Sequence, residues 1–331
     1  MMPFIFAMSS ISLWILHADS RTKYVTFLAC TFLSITFFIL VGFRTASLGS
    51  DYENYRLLFE HIDKNSSKAY NSHFDVGFIS LSSFFLDLTD NIKGVFVLYA
   101  VMAAFLLRQI SNLYHIHWYM IAVPYIAMFA LSRDASQFRF SVACLGALYF
   151  GLIFLLHRKP LNLAVGAVFA TIHFATLPVL LALTAPNYMQ RFTYITQLIF
   201  CITLFSILKV FSATAIGLLY PRAIDYFYTS ISYAGLAKAL FIYLLCHYQC
   251  RGNDSRQSQL LTLLTIALSL RIVFYDLALL TNRIASGIET ITVILIALNV
   301  KKSRKNVFIW APVLLIFACI NTMHINLKVL L

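Results

Sequence analysis

Long apolar runs alternate with short polar breaks from one end of the chain to the other. The runs cover 2–16, 24–43, 94–107, 118–132, 140–156, 161–173, 174–186, 192–212, 236–250, 260–280, 284–300 and 307–327. Within each run the apolar residues are consecutive rather than alternating, which predicts helices and not the strands of a barrel. Backbone amides in hydrocarbon must bond inside their own segment, which selects helix again. Several runs are shorter than the ~20 residues of a straight crossing. The stretch 161–186 reads as one long helix or as two short ones broken near His173 and Pro178. The pattern predicts an all-α fold, a polytopic transmembrane helical bundle of about 10–12 membrane helices with a periplasmic-side cavity. Residues 1–331 are expected to form a single integral membrane domain, with 2–16 as an uncleaved first span.

The polar breaks set the orientation. The longest, 44–75, mixes both signs of charge (Arg44, Asp51, Glu53, Arg56, Glu60, Asp63, Lys64, Lys68, Asp75), as a translocated segment does. Residues 76–89 are apolar but span only 14 positions, so they fit an interfacial or re-entrant helix inside a main periplasmic loop, 44–93. The short basic breaks hold Arg21 and Lys23, Arg108, Arg158 and Lys159, Arg191, Arg251 and Arg256, and Lys301, Lys302, Arg304 and Lys305. All fall on one side if 161–186 crosses twice, and the positive-inside rule makes that side cytoplasmic. The other side then holds 44–93, 132–139, the region of His173, 213–235 and Thr281–Arg283. In a bacterium this is the periplasmic face of the inner membrane, and the protein is multi-pass.

Composition supports this reading. Hydrophobic residues make up 60% of the chain and charged ones 11%, against about 25% charged in soluble domains. A net charge of +12 would suggest nucleic acid for a soluble protein. Here the basic loops account for most of it, and no nucleic-acid partner is expected beside the lipid bilayer. The six cysteines form no C-x-x-C pair, which leaves neither a disulfide framework nor a zinc site. They read as small packing residues.

Some charges lie outside what orientation explains. Arg44, Arg133, Arg139, Arg222 and Arg283 fall on the outer side or at its interface. Arg271 and Asp276 lie inside one span and Glu289 in the next. Such groups face a cavity or a partner. One reading pins helices together, with Arg133 on Asp134 and Arg271 on Asp276 or Glu289. The other treats the outer arginines as an anion receptor, because a guanidinium stays charged and grips phosphate oxygens as a fork. A polyprenyl diphosphate carries such an anion at that depth. Asp51 and Glu53 form a D-x-E, suited to a metal or a base but equally ordinary in a solvated loop. His173 stands alone in LAVGAVFATIHFATLPVLL. It reads as a buried histidine with one hydrogen bond, or as a cavity residue at a break between helices.

The order of these landmarks resembles that of EpsG-like membrane proteins, a branch of the Wzy-type O-antigen polymerase group. GFRTASLGSDYENYRLLFE is similar to the family's opening, through Arg44, Gly49, Ser50, Asp51, Tyr52 and Tyr55. FDVGFISLSSFF resembles its acidic-x-Gly-Phe helix, with Asp75 where Glu is more usual. FRFSVACLGALYF resembles an Arg-Gln-x-x-Ala helix start; Arg139 and Ala143 match, and Phe140 stands in place of Gln. HRKPLNLAVGAVFATIHFATLPVLL resembles the basic loop followed by Ala-x-x-x-His, through His173 and more loosely Ala170. LLTNRIASGIE resembles a late Ser/Asn-Arg-Ile/Leu segment, through Arg283. The likeness spans roughly residues 40–300.

It implies a glycosyltransferase of bacterial surface polysaccharide (O-antigen, capsule or exopolysaccharide) that joins repeat units carried on undecaprenyl diphosphate. The acceptor hydroxyl attacks the donor's anomeric carbon and the lipid diphosphate leaves. Arg44, Arg139 and Arg283 would stabilise that leaving group, with Arg133 and Arg222 as second contributors. The base is His173 or Asp51. Fixed cations suffice, so no metal or cofactor is expected. The lipid-linked oligosaccharide is the expected partner, and a chain-length regulator is a candidate one. Two other classes fit the sequence. A metal-dependent membrane glycosyltransferase would use Asp51 and Glu53 and lose activity to chelators. A flippase or transporter of lipid-linked oligosaccharide would show internal repeats and a midplane site.

Overall fold

The computed structural model describes residues 9–12, 14, 15, 32, 35, 52–63, 74–129, 137–219, 233–250, 254–275 and 278–330. Among them there is helix and connecting turn, and no strand. Among the described residues, four stretches are long and apolar enough to cross a membrane: Ile92–Leu113, Phe138–His157, Arg283–Lys302 and Arg304–Asn321. Four shorter apolar helices accompany them, at Val76–Thr89, Trp118–Phe129, Pro160–Ile172 and Tyr194–Val210. The protein is a helical membrane protein. Of the run expected at 2–16 only residues 9–12, 14 and 15 are described, and of 24–43 only 32 and 35.

The described chain divides into two compact units. The first comprises Met1–Tyr149, Ala167–Phe174 and Ile296–Leu331. It contains α1 (Tyr52–Asp63), α2 (Val76–Thr89), α3 (Ile92–Leu113), α4 (Trp118–Tyr125) and the start of α5 (Phe138–His157). The last turns of α6 (Pro160–Ile172), the end of α13 (Ile291–Lys302) and α14 (Val307–Leu330) complete it.

Turn chemistry sets these boundaries. Asp90 closes α2 in the left-handed region (φ 47°), its N–H bonded to the Leu86 carbonyl, and Asn91 caps α3 by accepting from the Lys93 N–H at 2.8 Å. Pro124 removes a donor inside α4, which continues as a π-helical turn over 126–129. The Asn321 side chain, from α14, donates to the carbonyls of Ala127 (2.8 Å) and Met128 (3.1 Å). A distant amide thus satisfies backbone oxygens that the irregular turn exposes, as burial away from water requires. At the other end of α3, the Lys301 Nζ donates to the His115 carbonyl at 2.9 Å. This ties the α3–α4 turn to the end of α13.

The second unit comprises Phe150–Gly166 and Ala175–Leu295. It holds α7 (Thr176–Ala182), α8 (Pro186–Met189), α9 (Tyr194–Leu219), α10 (Tyr233–Gln249), α11 (Ser255–Val273) and α12 (Ala278–Glu289). Almost every residue of α11 from Leu260 to Ser269 is buried, and α9, α10 and α12 pack around it. Its hydroxyls survive burial by bonding back along the helix: Thr262 to the Ser258 carbonyl, Thr265 to Leu261 and Ser269 to Thr265, at 3.1, 3.0 and 2.8 Å. By contrast, Ile195, Ile199, Phe200 and Ile207 on α9 are exposed, as a face turned to lipid should be. Of the two readings of 161–186, the broken one is observed, with α6 ending at Ile172 and α7 beginning at Thr176.

Candidate functional site

An aromatic cluster in the first unit positions the site. Phe138, at the start of α5, lies 4.3 Å from the Tyr55 ring, 4.9 Å from Tyr99, 5.2 Å from Phe96 and 5.8 Å from Phe78, centroid to centroid. Tyr99 finds its polar partner in Ser82, 3.0 Å away. Phe96 and Tyr99 belong to the first turns of α3, so the start of α5 sits at the Asn91 end of that helix.

Arg139 is the next residue. Its guanidinium carbon lies 4.8 Å from the centroid of the Phe74 ring and 5.4 Å from that of Phe78, where the ring faces attract a cation. Its Nη1 donates to Asp75 Oδ2 at 3.3 Å, with the side chains 11% and 30% exposed. Its Nε is buried and has no hydrogen-bond partner among the described residues. Asp75 is the N-cap residue of α2, and its carbonyl accepts from the N–H groups of Phe78 and Ile79. The carboxylate makes no cap bond and reaches Arg139 instead.

Gly77 brings α6 to the same place. A Cβ at this position would stand 2.7 Å from the carbonyl carbon of Thr171 and 2.2 Å from its Oγ1. Only glycine lets the first turn of α2 press on the last turn of α6. His173 follows that turn. It is buried, its N–H donates to the Phe169 carbonyl at 3.2 Å, and its ring meets Phe140 edge-on at 5.2 Å. Phe140, which replaces the expected Gln, therefore packs on the histidine. Arg139 and His173 are gathered in one unit, with Asp75 between α2 and α5.

Arg283 lies in the second unit, in α12. Its Nε is also buried without a partner among the described residues. Asp51, Arg44, Arg133 and Arg222 lie outside the described residues, as does Asp276. Glu53 is exposed and bonded to Arg56 Nε at 2.8 Å. Arg271 forms a fork on Glu289, with Nη2 to Oε2 at 2.8 Å and Nε to Oε1, both side chains buried. Of the partners the sequence offered Arg271, Glu289 is the one observed, and it joins α11 to α12. Lys238 of α10 lies within electrostatic reach of both charges.

Sequence reasoning gave Asp75 a place in a motif but no place in the site. The available signal was an acid two residues before a glycine, ahead of an apolar helix, in a chain with unmatched arginines. The arrangement can bind an anion through the Nε of Arg139, which is buried without a partner among the described residues. Asp75 fixes the orientation of that guanidinium, and His173 supplies a group able to carry a proton.

No curated protein and no solved structure matches the chain. Residues 26–329 match the EpsG family, which covers nearly the whole length and points to a membrane protein of polysaccharide biosynthesis. The chain belongs to the EpsG family, a group associated with Wzy-like polymerases.

Proposed function

We propose that the protein is a polymerase of bacterial surface polysaccharide that joins undecaprenyl-diphosphate-linked repeat units at the outer face of the inner membrane. The observation that carries this reading is Arg139, a largely buried guanidinium anchored by Asp75, with its Nε unpartnered among the described residues, next in the chain to Phe140, whose ring meets that of His173. Depth and side are consistent with it. The Lys301–His115 bond marks one end of α3, and the adjoining Lys302, Arg304 and Lys305 support a cytoplasmic position for that end by the positive-inside rule. Arg139 is at the opposite end.

In the reaction, the acceptor hydroxyl oxygen forms a bond to the anomeric carbon of the growing chain. The bond from that carbon to the diphosphate oxygen breaks, and the hydroxyl proton passes to a base. Arg139 stabilises the charge that develops on the departing diphosphate; Arg44, Arg283 and, secondarily, Arg133 and Arg222 are the further candidates for that role. His173 is the base proposed within the first unit, and Asp51 is the alternative. Desolvation strengthens each of these interactions relative to water.

A deletion strain tests the class. Loss of a polymerase leaves single repeat units on lipid A core, and the parent chain restores the long ladder. A surface bearing no repeat units at all would indicate a transporter and overturn the proposal.

A further inference from the structure

The second unit encloses a cavity of about 600 Å³ between α7, α8, α9, α11 and α12. Its walls are aliphatic and aromatic, with Leu181, Leu204, Leu208, Leu270, Phe274 and Ile284 among them. Thr184 also lines it, but its hydroxyl is bonded to the Leu181 carbonyl at 2.8 Å. The cavity opens sideways: Leu204 is 41% exposed and Leu181 61%, on surfaces that a membrane protein turns to hydrocarbon.

A cation sits at one end. Lys209 follows the lining residue Leu208, and its Nζ donates to the carbonyl of Val273, the last residue of α11, at 2.9 Å. The same ammonium lies 5.1 Å from the Tyr275 ring centroid. Both contacts flank Phe274, so they fix this charge where the groove meets the end of α11. Arg283 directly precedes the lining residue Ile284, with its Nε buried and unpartnered among the described residues.

An apolar groove open to lipid, with Lys209 at one end and Arg283 next in the chain to its wall residue Ile284, complements a molecule with an apolar chain and a multiply charged anionic head. We propose that this groove seats the head-proximal part of the isoprenoid chain of the lipid-linked substrate, with its diphosphate held by Lys209 and Arg283. This inference rests on the polymerase reading and adds to it a tail site and a further head-group cation, Lys209. A cavity of this size holds a ligand of ordinary drug dimensions, so the rest of a long chain leaves through the open side. One groove fits one chain, and two cations match a diphosphate better than the single charge of a phosphodiester.

The test uses the full chain purified in phosphatidylcholine nanodiscs, with undecaprenyl diphosphate as the probe and native mass spectrometry as the readout. Leu204→Trp fills the groove from a half-exposed position and is expected to weaken binding roughly tenfold or more. Leu181→Trp should do the same, which guards against a folding fault in one variant. Lys209→Gln removes the charge, and binding should fall several-fold. Leu244→Trp, at an exposed position of α10 away from the groove, should bind like the parent. Parent-like binding by both groove-filling variants overturns the proposal. So does equal displacement of the probe by phosphatidylglycerol, which would make the groove a bilayer-lipid site. Polymer made from lipid-linked repeat units by the same preparations separates the two ideas. A parent that makes polymer and a Leu204→Trp protein that equals it in binding and polymer remove the groove alone. A parent that makes none removes the polymerase reading, and this occupant with it.

Discussion

Arg139 has two kinds of neighbour, and they constrain it differently. Asp75 takes one N–H, while the rings of Phe74 and Phe78 hold the plane of the guanidinium from the side. The Nε, unpartnered among the described residues, is available to a substrate. Arg139→Ala should therefore lower the polymerisation rate by about 10²–10³-fold, the range for losing one donor aimed at developing negative charge. Arg139→Lys should recover only part of that, because an ammonium keeps the charge but loses the fork and the stacking. Chain synthesis by purified protein, normalised to the amount inserted, measures both. A rate near the parent's for Arg139→Ala would remove this residue from the mechanism. Arg271 and Glu289 obey a different rule. Removing one partner of a buried pair strands the other charge, at a cost of roughly 3–5 kcal/mol. Lys238 is close enough to make an unmatched Arg271 worse. Glu289→Gln should lower the thermal unfolding midpoint in detergent markedly. The double change Arg271→Met with Glu289→Leu should restore most of it, since apolar residues can replace such a pair. If Glu289→Gln unfolds like the parent, the pair does not pin α11 to α12.

At the scale of elements, the junction of α2 with α6 rests on Gly77. Gly77→Ala would drive a methyl group into the Thr171 backbone, where no rotamer change gives relief. The two helices must move apart, so long-chain product should fall sharply and stability by about 1–3 kcal/mol. Gly166→Ala is the comparison. Its Cβ meets chiefly the Leu180 side chain, at 2.8 Å from the terminal Cδ1, and a leucine end can turn away. Thermal unfolding of both variants checks the order, and a Gly166→Ala effect equal to that of Gly77→Ala would refute the close-approach account. This contrast also shows what a sequence discloses about elements. Uninterrupted apolar runs made the long helices legible, and a polar residue near a proline marked the break between α6 and α7. The π-helical turn after Pro124 was not legible, because it is sustained by Asn321 far along the chain. Arg139 and His173 stood out as polar residues that their apolar surroundings leave unexplained. Asp75 did not, since its partner lies 64 positions away and the pairing is set by helix packing rather than by any local pattern.

For the whole molecule, the mechanism requires a particular side of the membrane. Helix α3 contains 22 residues, hence spans about 33 Å at 1.5 Å per residue, enough for the ~30 Å hydrocarbon core. The Asp90–Asn91 turn and the His115 turn must then emerge on opposite faces. Lys301 fastens His115 to the basic end of α13, while Phe138 packs on Phe96 and Tyr99 near the other end of α3. A diphosphate-linked donor displayed at the outer face of the inner membrane can reach Arg139 only if the Asn91 end faces outward. Single cysteines at exposed Asp90 and Lys302, in a chain freed of its own six, make this measurable with a membrane-impermeant thiol reagent. Asp90→Cys should label in cells whose inner membrane is intact, and Lys302→Cys only after that membrane is permeabilised. The reverse pattern would put Arg139, Asp75 and His173 on the cytoplasmic face. The site would then meet nucleotide-activated sugars rather than translocated lipid-linked repeats, and the polymerase mechanism would lose its substrate even though every contact within the site stood unchanged.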